Sequence, residues 1–319
     1  MPRKRTPERK CVASRTDGGV FVTPGGRRVA PAKAVRMHRI GIPQSFTDVC
    51  VLGKQHEPLI ALATDGKGQR QYFYTWDHRK RSRSEKTKRI ARLAAQIGDL
   101  RETIRALMND KGKDVAAEKR RAVGLSFRLM DKLAMRPGKP QYRDNNGTFG
   151  ATTLDYKKHM TIDGNKVVIK YKGKKGVDRN LTLRDPEFVA AMKRAVNNGK
   201  GRYFTGKYAV DVWHPKVMPD DLKIKDLRTL SANAMLIKFA IKDAKQNWHS
   251  RNWRKKTHTK PRQRVAELIA KVAKCIGHTF KVCNRNYILW EVRQLAERIL
   301  VGEKIKGSVN DAISEAVSR

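Results

Sequence analysis

The chain has 319 residues, of which 71 are lysine or arginine and 30 are aspartate or glutamate, a formal net charge of +41. Such an excess of positive charge opposes compaction unless a polyanion offsets it, and its spread along the whole chain favours a folded protein with a long phosphate-binding surface. No apolar run approaches the roughly 18 residues of a membrane span, and no apolar segment follows the basic start MPRKRTPERKC, so neither a membrane protein nor a secretory signal is expected.

The first eighty residues have the pattern of a small β-rich module. Short runs of β-branched and aromatic residues are separated by turn signals, PGG at 24–26 and DGKG at 65–68. The runs are VFVT (20–23), VCVL (49–52), LIALAT (59–64) and QYFYT (71–75). The last two predict a hairpin with a basic loop.

The polar, basic run HRKRSRSEKTKR at 78–89 marks the predicted boundary between two domains, residues 1–80 and 81–319, and we expect a flexible segment there. Apolar residues at spacings of three and four then predict one helix. They are Ile90, Leu93, Ile97, Leu100, Ile104 and Leu107. A second helix is predicted over about 114–135, where Pro137 and Gly138 end it.

Residues 158–183 change to a strand pattern and predict three antiparallel strands, with Asp163-Gly164 as a tight turn and Lys174-Lys175 near the second turn. Asp185-Pro186 offers an N-cap and a first-position proline for the helix that follows. Further helices are predicted at about 226–246, 262–276, 283–303 and from 308, with a basic, tryptophan-containing linker at 245–264.

The cysteines and acidic residues give no sign of a metal site. Four cysteines do not make a disulfide framework in a chain of this size, so a reducing, intracellular compartment is expected. The spacing of Cys275, His278 and Cys283 matches no common zinc pattern, and the acidic residues are few and scattered. We therefore expect no metal and no cofactor.

Phosphodiester chemistry without a metal needs a particular set of side chains. A phenol titrates near ~10 and attacks poorly without help. Cationic groups must balance the charge on the non-bridging oxygens, and arginine does so best because its fork matches two oxygens. The leaving 5′ oxygen also needs a proton donor. The chemistry thus calls for a tyrosine, two arginines, a histidine and a lysine from distant segments.

Several stretches carry a resemblance to one enzyme family, in the expected order. They are IGIPQSFTDVCVLG (40–53), ATDGKGQRQYFY (63–74), IKDLRT (224–229) and IGHTFKVCNRNY (276–287), with shorter matches in MRPGKPQY (135–142) and VVIKYKGKKG (167–176). The chain resembles the type IB DNA topoisomerases of the small poxvirus-like kind. Residues 1–19, 200–220 and 245–262 lie outside the resemblance.

The resemblance implies an enzyme that nicks one strand of duplex DNA, holds it as a 3′-phosphotyrosine, relaxes supercoils and religates, without ATP or metal. It implies an α+β fold, with a small antiparallel β-rich N-terminal DNA-binding domain before a mainly helical catalytic domain that contains a three-stranded antiparallel sheet. The catalytic residues it implies are Tyr287 as nucleophile, Arg136 and Arg228 as phosphate clamps, His278 as a phosphate contact and Lys174 as proton donor. Lys175 competes with Lys174 for the last role.

The same resemblance implies DNA contacts outside the catalytic set. Gln71, Tyr72 and Tyr74 match the DNA-facing strand of the family, and Lys139 and Tyr142 are expected close to the scissile phosphate. The expected partner is double-stranded DNA, gripped by a monomer that closes as a clamp, in a DNA-containing compartment such as a bacterial cytoplasm, a viral factory or virion, or a nucleus.

Two other interpretations fit part of the sequence. A tyrosine recombinase or integrase shares the catalytic set, but recombinases usually place a histidine three residues before the second arginine, where this chain has Lys225. A non-catalytic, basic DNA-packaging protein would carry the same charge but would not need this set in this order. The sequence gives neither a cleavage preference nor a role for the insert at 245–262.

Overall fold

The protein is described here by a computed structural model that covers residues 11–197, 217–218, 221–248 and 261–318. The chain divides into two compact units, Met1–Glu85 and Lys86–Arg319. The fold is α+β, as predicted, with a β-rich N-terminal part and a mainly helical remainder. No helix in the described ranges is both long and apolar enough to cross a membrane.

The N-terminal unit is built on a five-stranded antiparallel sheet in the order β2-β1-β3-β4-β5. The strands are β1 Cys11–Arg15, β2 Phe21–Val22, β3 Thr47–Leu52, β4 Leu59–Thr64 and β5 Arg70–Tyr74, and helix α1, Pro31–His38, lies between β2 and β3 in the chain. Strand alternation brings Val49, Val51, Ala61 and Ala63 into one apolar core with Phe21. The predicted hairpin of β4 and β5 is confirmed, with residues 65–69 as its turn.

Two cysteines of this sheet are paired, which the sequence analysis did not predict. Cys11 and Cys50 form a disulfide between β1 and β3, with their Cα atoms 5.3 Å apart. They come together because β1 and β3 are neighbouring antiparallel strands, although 39 residues separate them in the chain. Cys275 and Cys283 are free thiols.

The remainder of the described chain is mainly helical. Its helices are α2 Trp76–Ala95, α3 Ile97–Met108, α4 Val115–Leu133, α5 Pro140–Asn146, α6 Tyr156–His159, α7 Pro186–Asn197, α8 Ile224–Trp248, α9 Pro261–Ile276, α10 Phe280–Asn286, α11 Trp290–Leu300 and α12 Val309–Ser318. Helix α8 packs against α4, α9, α11 and α12. Its residues Leu236, Ile237 and Ala240 are fully buried, so α8 forms the centre of the core.

A three-stranded antiparallel sheet is inserted between α6 and α7, as predicted. It consists of β6 Met160–Asp163, β7 Lys166–Lys172 and β8 Asp178–Arg184, with β7 in the middle. Val167 and Ile169 are buried in the core of this unit. A single 3₁₀ turn over Lys174–Gly176 joins β7 to β8, and Gly164 takes a positive φ of 56° in the other turn.

Buried ion pairs fasten the helices that frame this core. Asp185 caps α7 by accepting from the Phe188 N–H at 3.1 Å and also accepts from Arg128 Nε of α4 at 2.6 Å. Asp226, which is fully buried, accepts from Arg89 Nε of α2 at 2.9 Å. The predicted cap at Asp185 is therefore confirmed, and one carboxylate both begins α7 and ties it to α4.

Three predictions of local structure were wrong. Residues 78–89 are not a flexible segment but lie within α2, because this basic run continues into the apolar stripe of the same helix. That stripe forms two helices, α2 and α3, which meet at Gln96. The helix predicted at 283–303 is broken at Tyr287–Leu289 into α10 and α11. The linker at 245–264 falls partly in α8 and α9, and its residues 249–260 lie outside the described ranges.

Candidate active site

The C-terminus of α9 places His278. Gly277 has a φ of 68°, its N–H donates to the Lys274 carbonyl at 3.2 Å, and the His278 N–H reaches back to the Ala273 carbonyl at 2.8 Å. This pair of bonds is the Schellman ending of a helix, which needs a residue in the left-handed region and favours glycine there. The predicted Gly277-His278 pair thus fixes the direction in which the imidazole leaves the helix.

Arg228 lies in the first turns of α8 and is only 5% exposed. Its two terminal nitrogens donate to the Ala134 and Ile276 carbonyls, which are free because α4 and α9 end there. Its Nε is one of the buried side-chain atoms in the described ranges that has no hydrogen-bond partner. A buried donor without a partner is costly, so this nitrogen is available to an anion.

Burial and, to a smaller extent, the neighbouring Arg136 charge together lower the pKa of Arg228 to about 10, although Tyr287 opposes the shift. The guanidinium therefore remains cationic at neutral pH. This buried cation, held by two carbonyls and close to the Tyr287 phenol, attracts an anion strongly because little water screens it.

Arg136 follows the end of α4, where Ala134 adopts a left-handed conformation with φ 50° and ψ 36°. The segment after it pairs with residues 150–152: the Ala151 N–H donates to the Arg136 carbonyl at 2.8 Å. The backbones approach so closely that a Cβ on Gly150 would lie 2.5 Å from the Arg136 carbonyl oxygen. Backbone contacts therefore fix the position of Arg136.

Arg136 and His278 meet directly. A terminal nitrogen of Arg136 lies 2.8 Å from His278 Nε2. A guanidinium can only donate, so Nε2 accepts and the imidazole is neutral with its proton on Nδ1. Burial lowers the pKa of His278 to about 4, and the charges of Arg136, Arg228, Lys174 and Arg179 act in the same direction.

Tyr287 lies at the break between α10 and α11 rather than inside a helix. Buried Asn233 of α8 holds both sides of this break. Its amide nitrogen donates to the Tyr287 carbonyl at 2.8 Å and to the Thr229 carbonyl at 2.7 Å, and its amide oxygen accepts from the Leu289 N–H at 3.0 Å. The side chain of Asn233 thus replaces the backbone bonds that a continuous helix would have made.

The ring of Tyr287 lies close to the neutral imidazole of His278 and to two cations, Arg228 and Lys86. Its centroid lies 4.8 Å from that of the His278 ring, 5.4 Å from Arg228 Cζ and 5.8 Å from Lys86 Nζ. Lys86 also donates to the carbonyl of Asn286, at the end of α10. The phenol therefore lies in a positive environment, with two cations within about 6 Å of its ring centroid.

Lys174 is exposed in the turn between β7 and β8, and lines a narrow cleft together with Arg136, Arg228 and Gly277. The adjacent Lys175 has a φ of 69° and is not among the residues that line this cleft. The structure thus brings all five predicted catalytic residues into one region of one unit. No cluster of three or more metal-ligating side chains occurs in the described part of the chain.

The predicted DNA contacts of the N-terminal unit lie on both faces of β5. Tyr72 and Tyr74 share the exposed face, 56% and 36% exposed, and Tyr74 stacks on His78 with ring centroids 5.0 Å apart. Gln71 alternates to the opposite face, with Phe73, and its amide nitrogen donates to Asp65 Oδ2 at 2.8 Å. The structure therefore does not place Gln71 beside the two tyrosines.

Lys139 and Tyr142 lie at the start of α5 in the helical unit. Lys139 is the residue before the helix and is exposed, and Tyr142 is 48% exposed. Both are joined to the site through the chain, because they follow Arg136 and Gly138 within one short segment.

The sequence analysis missed two residues that contact the nucleophile segment. Asn233 could have been noticed, because a buried asparagine in the middle of an apolar helix is unfavourable unless its side chain has partners. Lys86 gave no such signal, since it is one of many cations in the run at 78–89.

Removal of the Asn233 side chain should loosen the break at Tyr287. Asn233→Ala leaves the Tyr287 and Thr229 carbonyls and the Leu289 N–H without their partner, so we expect a loss of about 3 kcal/mol in the free energy of unfolding, from the ~1–3 kcal/mol that each unsatisfied buried group costs. Chemical denaturation measures it, with Asn286→Ala, an exposed asparagine nearby, as the matched control. Equal stability of the two variants would contradict this role.

The imidazole of His278 should stay neutral well below the usual pKa of 6.5. The unfolded chain binds a proton near 6.5 and the folded protein only near 4, so stability should fall as the pH drops through this window. NMR titration of the ring nitrogens measures the pKa, and His278→Gln assigns the signal. A ring in the DNA-free protein that titrates at 6.5 would contradict the contact with Arg136.

Comparison with known proteins gives a consistent result. Residues 76–306, more than two thirds of the chain, match the profile of the family described as eukaryotic DNA topoisomerase I, catalytic core. The chain is 24% identical to DNA topoisomerase 1B of Acanthamoeba polyphaga mimivirus over 269 residues, which cover 80% of this chain and 77% of the viral protein.

Poxvirus proteins match over a similar length. The chain is 24% identical to DNA topoisomerase 1B of vaccinia virus (strain Copenhagen) and 23% identical to DNA topoisomerase I of monkeypox virus, in both cases over 273 residues that cover 84% of this chain and 82% of the viral protein. With the family profile, these similarities confirm the resemblance found in the sequence. The chain belongs to the type IB DNA topoisomerases, of the poxvirus-like kind.

Proposed function

We propose that this topoisomerase nicks one strand of double-stranded DNA through Tyr287, holds the strand as a 3′-phosphotyrosine, lets supercoils relax and then religates, without ATP or a metal ion. One observation carries the proposal. A tyrosine ring, an imidazole and a buried guanidinium lie within about one side-chain width of each other, with further cations around them. The cluster supplies the groups that metal-free attack on a phosphodiester requires.

In the first step the phenolic oxygen of Tyr287 bonds to phosphorus and the bond from phosphorus to the 5′ oxygen breaks. The phenol loses its proton and the leaving 5′ oxygen gains one, so the number of phosphodiester bonds is conserved. Religation is the same step in reverse, with the 5′-hydroxyl as nucleophile. Because the phosphotyrosine retains the energy of the broken bond, the cycle needs no nucleotide cofactor.

Arg228, Arg136 and His278 are the proposed contacts of the scissile phosphate. Arg228 is held by two carbonyls and has an unpaired Nε, so its position is set before DNA binds. Donors that are already in place stabilise the charge that develops in the transition state at little cost in reorganisation. The bond between Arg136 and His278 satisfies both groups in the free protein, and an entering phosphate would take its place.

His278 can donate to a phosphate oxygen through Nε2 only after its protonation state or tautomer changes. In the free protein Nε2 accepts from Arg136. The pKa of His278 is lowered by burial and, in addition, by the surrounding cations, and an anion in the site would oppose the second of these effects. DNA binding is therefore proposed to raise this pKa and to turn the imidazole into a donor.

Lys174 is the proposed donor of a proton to the 5′ oxygen. Its place beside the cleft, next to both arginines, supports it over Lys175, which has a left-handed backbone conformation and does not line the cleft. An exposed lysine at the tip of a turn between two strands can follow the substrate, because few contacts restrict its four-carbon chain.

The N-terminal unit is proposed to bind duplex DNA through the exposed face of β5, where Tyr72 and Tyr74 lie side by side. Gln71, Lys139 and Tyr142 are proposed as further contacts. Because all five catalytic groups belong to one unit of one chain, the protein is proposed to act as a monomer clamp, in a DNA-containing compartment. With +41 net charge, its affinity for DNA should decrease steeply with salt.

The central test is covalent capture in EDTA without ATP. The wild-type protein should relax a supercoiled plasmid, and denaturation during the reaction should trap a protein bound to the 3′ end of labelled DNA. Tyr287→Phe should bind duplex DNA normally but form no adduct, because the attacking oxygen is gone. Tyr156→Phe removes the same atom from a buried tyrosine of α6 and should cleave normally. An adduct with Tyr287→Phe, or cleavage that stops in EDTA, would refute the proposal.

The role of Lys174 can be tested with a substrate whose 5′-bridging oxygen is replaced by sulfur. A thiolate leaves without a proton, because a thiol titrates near ~8.5. Lys174→Ala should slow cleavage of ordinary DNA by roughly 10²–10⁴-fold, the usual contribution of a general acid, and slow the sulfur substrate little. Lys175→Ala is the matched control and should cleave both. Equal slowing of both substrates by Lys174→Ala would assign this lysine another role.

A further inference from the structure

Arg179 of β8 lies beside the five predicted residues but is not one of them. We propose that Arg179 is a positioning residue for His278, which it serves by holding the open carbonyls at the C-terminus of α9. This inference rests on the proposed function, in which His278 contacts the scissile phosphate.

The end of α9 has carbonyl groups without a helical hydrogen-bond partner, and Arg179 donates to one of them. In the Schellman ending of α9, the Ala273 and Lys274 carbonyls are taken by the His278 and Gly277 N–H groups, whereas those of Cys275 and Ile276 stay open. Arg228 fills the one at Ile276. Arg179 donates to the carbonyl of Cys275 through Nη2, at 2.6 Å. Its other terminal nitrogen, Nη1, lies 3.5 Å from the Lys274 carbonyl.

The guanidinium of Arg179 also packs against the turn itself. A Cβ built on Gly277 would lie 2.6 Å from Arg179 Nη1 and 3.0 Å from its Cζ. The guanidinium therefore lies directly against Gly277, the residue before His278, and leaves no room there for a side chain. Two arginines, one from β8 and one from α8, thus hold the turn that carries the imidazole.

The position of Arg179 within β8 distinguishes it from an ordinary surface arginine. It is partly buried on the side of the strand that faces the core, opposite Tyr171 of β7, and lines the same cleft as Arg136, Lys174 and Arg228. A cation at a helix C-terminus is also favoured by the helix dipole. The contact thus joins the sheet that carries Lys174 to the helix that carries His278.

A double-mutant cycle on cleavage tests the inference. Arg179→Met should slow single-turnover cleavage about tenfold, less than the ~10²-fold that a misplacement of 1 Å can cost. Arg179→Lys should recover part of the loss, since an ammonium can still reach one carbonyl. In the background of His278→Ala, Arg179→Met should add no more than about twofold, because residues that act as a unit are not additive.

Arg184→Met is the matched control, because Arg184 is an exposed arginine on the other face of the same strand and its loss removes the same charge. It should cleave normally. A second readout does not depend on catalysis: the NMR signals of the His278 ring should shift in Arg179→Met and Arg179→Lys but not in Arg184→Met.

The outcomes separate this inference from the function on which it rests. If Arg179→Met cleaves within about twofold of wild type, or if its effect multiplies with that of His278→Ala, Arg179 does not act through the imidazole and the inference is overturned while the proposed function stands. If His278→Ala itself cleaves normally, the assignment of His278 in the proposed function fails, and the inference fails with it.

Discussion

The structure of the site depends on one buried cation. The guanidinium of Arg228 is almost fully removed from water, and two carbonyls from the ends of α4 and α9 hold it. Desolvation of a charge is costly, and carbonyl dipoles compensate it only in part. The three helices must meet at one point for these bonds to form. The same geometry brings the residues that follow α4 and α9, Arg136 and His278, to the edge of the cleft.

The positive charge of the whole chain, like the buried Arg228, is unfavourable until an anion compensates it. The site gathers cations that repel each other: burial is the main cause of the lowered pKa values of Arg228 and His278, and this repulsion adds to it. Such repulsion lowers the free energy of unfolding of the free protein, and binding of a polyanion raises it again. Two acidic residues instead stabilise the framework: Asp185 and Asp226 are buried in ion pairs with arginines of other helices.

Much of the fold could be predicted from the sequence because local signals coincided with the final structure. Alternation and turn residues gave β4, β5 and the three-stranded sheet, and Asp185-Pro186 gave the start of α7. The failures have a different cause. The break at Tyr287 depends on Asn233, 54 residues earlier in the chain, and the pairing of Cys11 with Cys50 depends on strand order. Local patterns contain neither kind of information.

In the candidate site, too, the sequence predicted the residues but not the tertiary contacts between them. Short motifs identified each side chain by its type, but not the bonds that set its orientation. That Nε2 of His278 accepts from Arg136, that the Arg228 Nε is unpaired, and that Arg179 lies against Gly277 are facts of tertiary structure. They arise where the ends of separate helices meet, and sequence spacing along one helix does not predict them.

The anchoring of the break at Tyr287 has a mechanical consequence for the proposed reaction. While the strand is attached to the phenol in the proposed reaction, any pull on that strand reaches Tyr287, the residue that ends α10 and whose N–H donates to the Cys283 carbonyl at 2.9 Å. In addition, Asn233 ties the backbone at Tyr287 and at Leu289 to the central helix α8. The attachment point is therefore restrained from the interior of the protein, and in the proposed reaction this restraint would keep the severed end in place for resealing while the rest of the DNA turns.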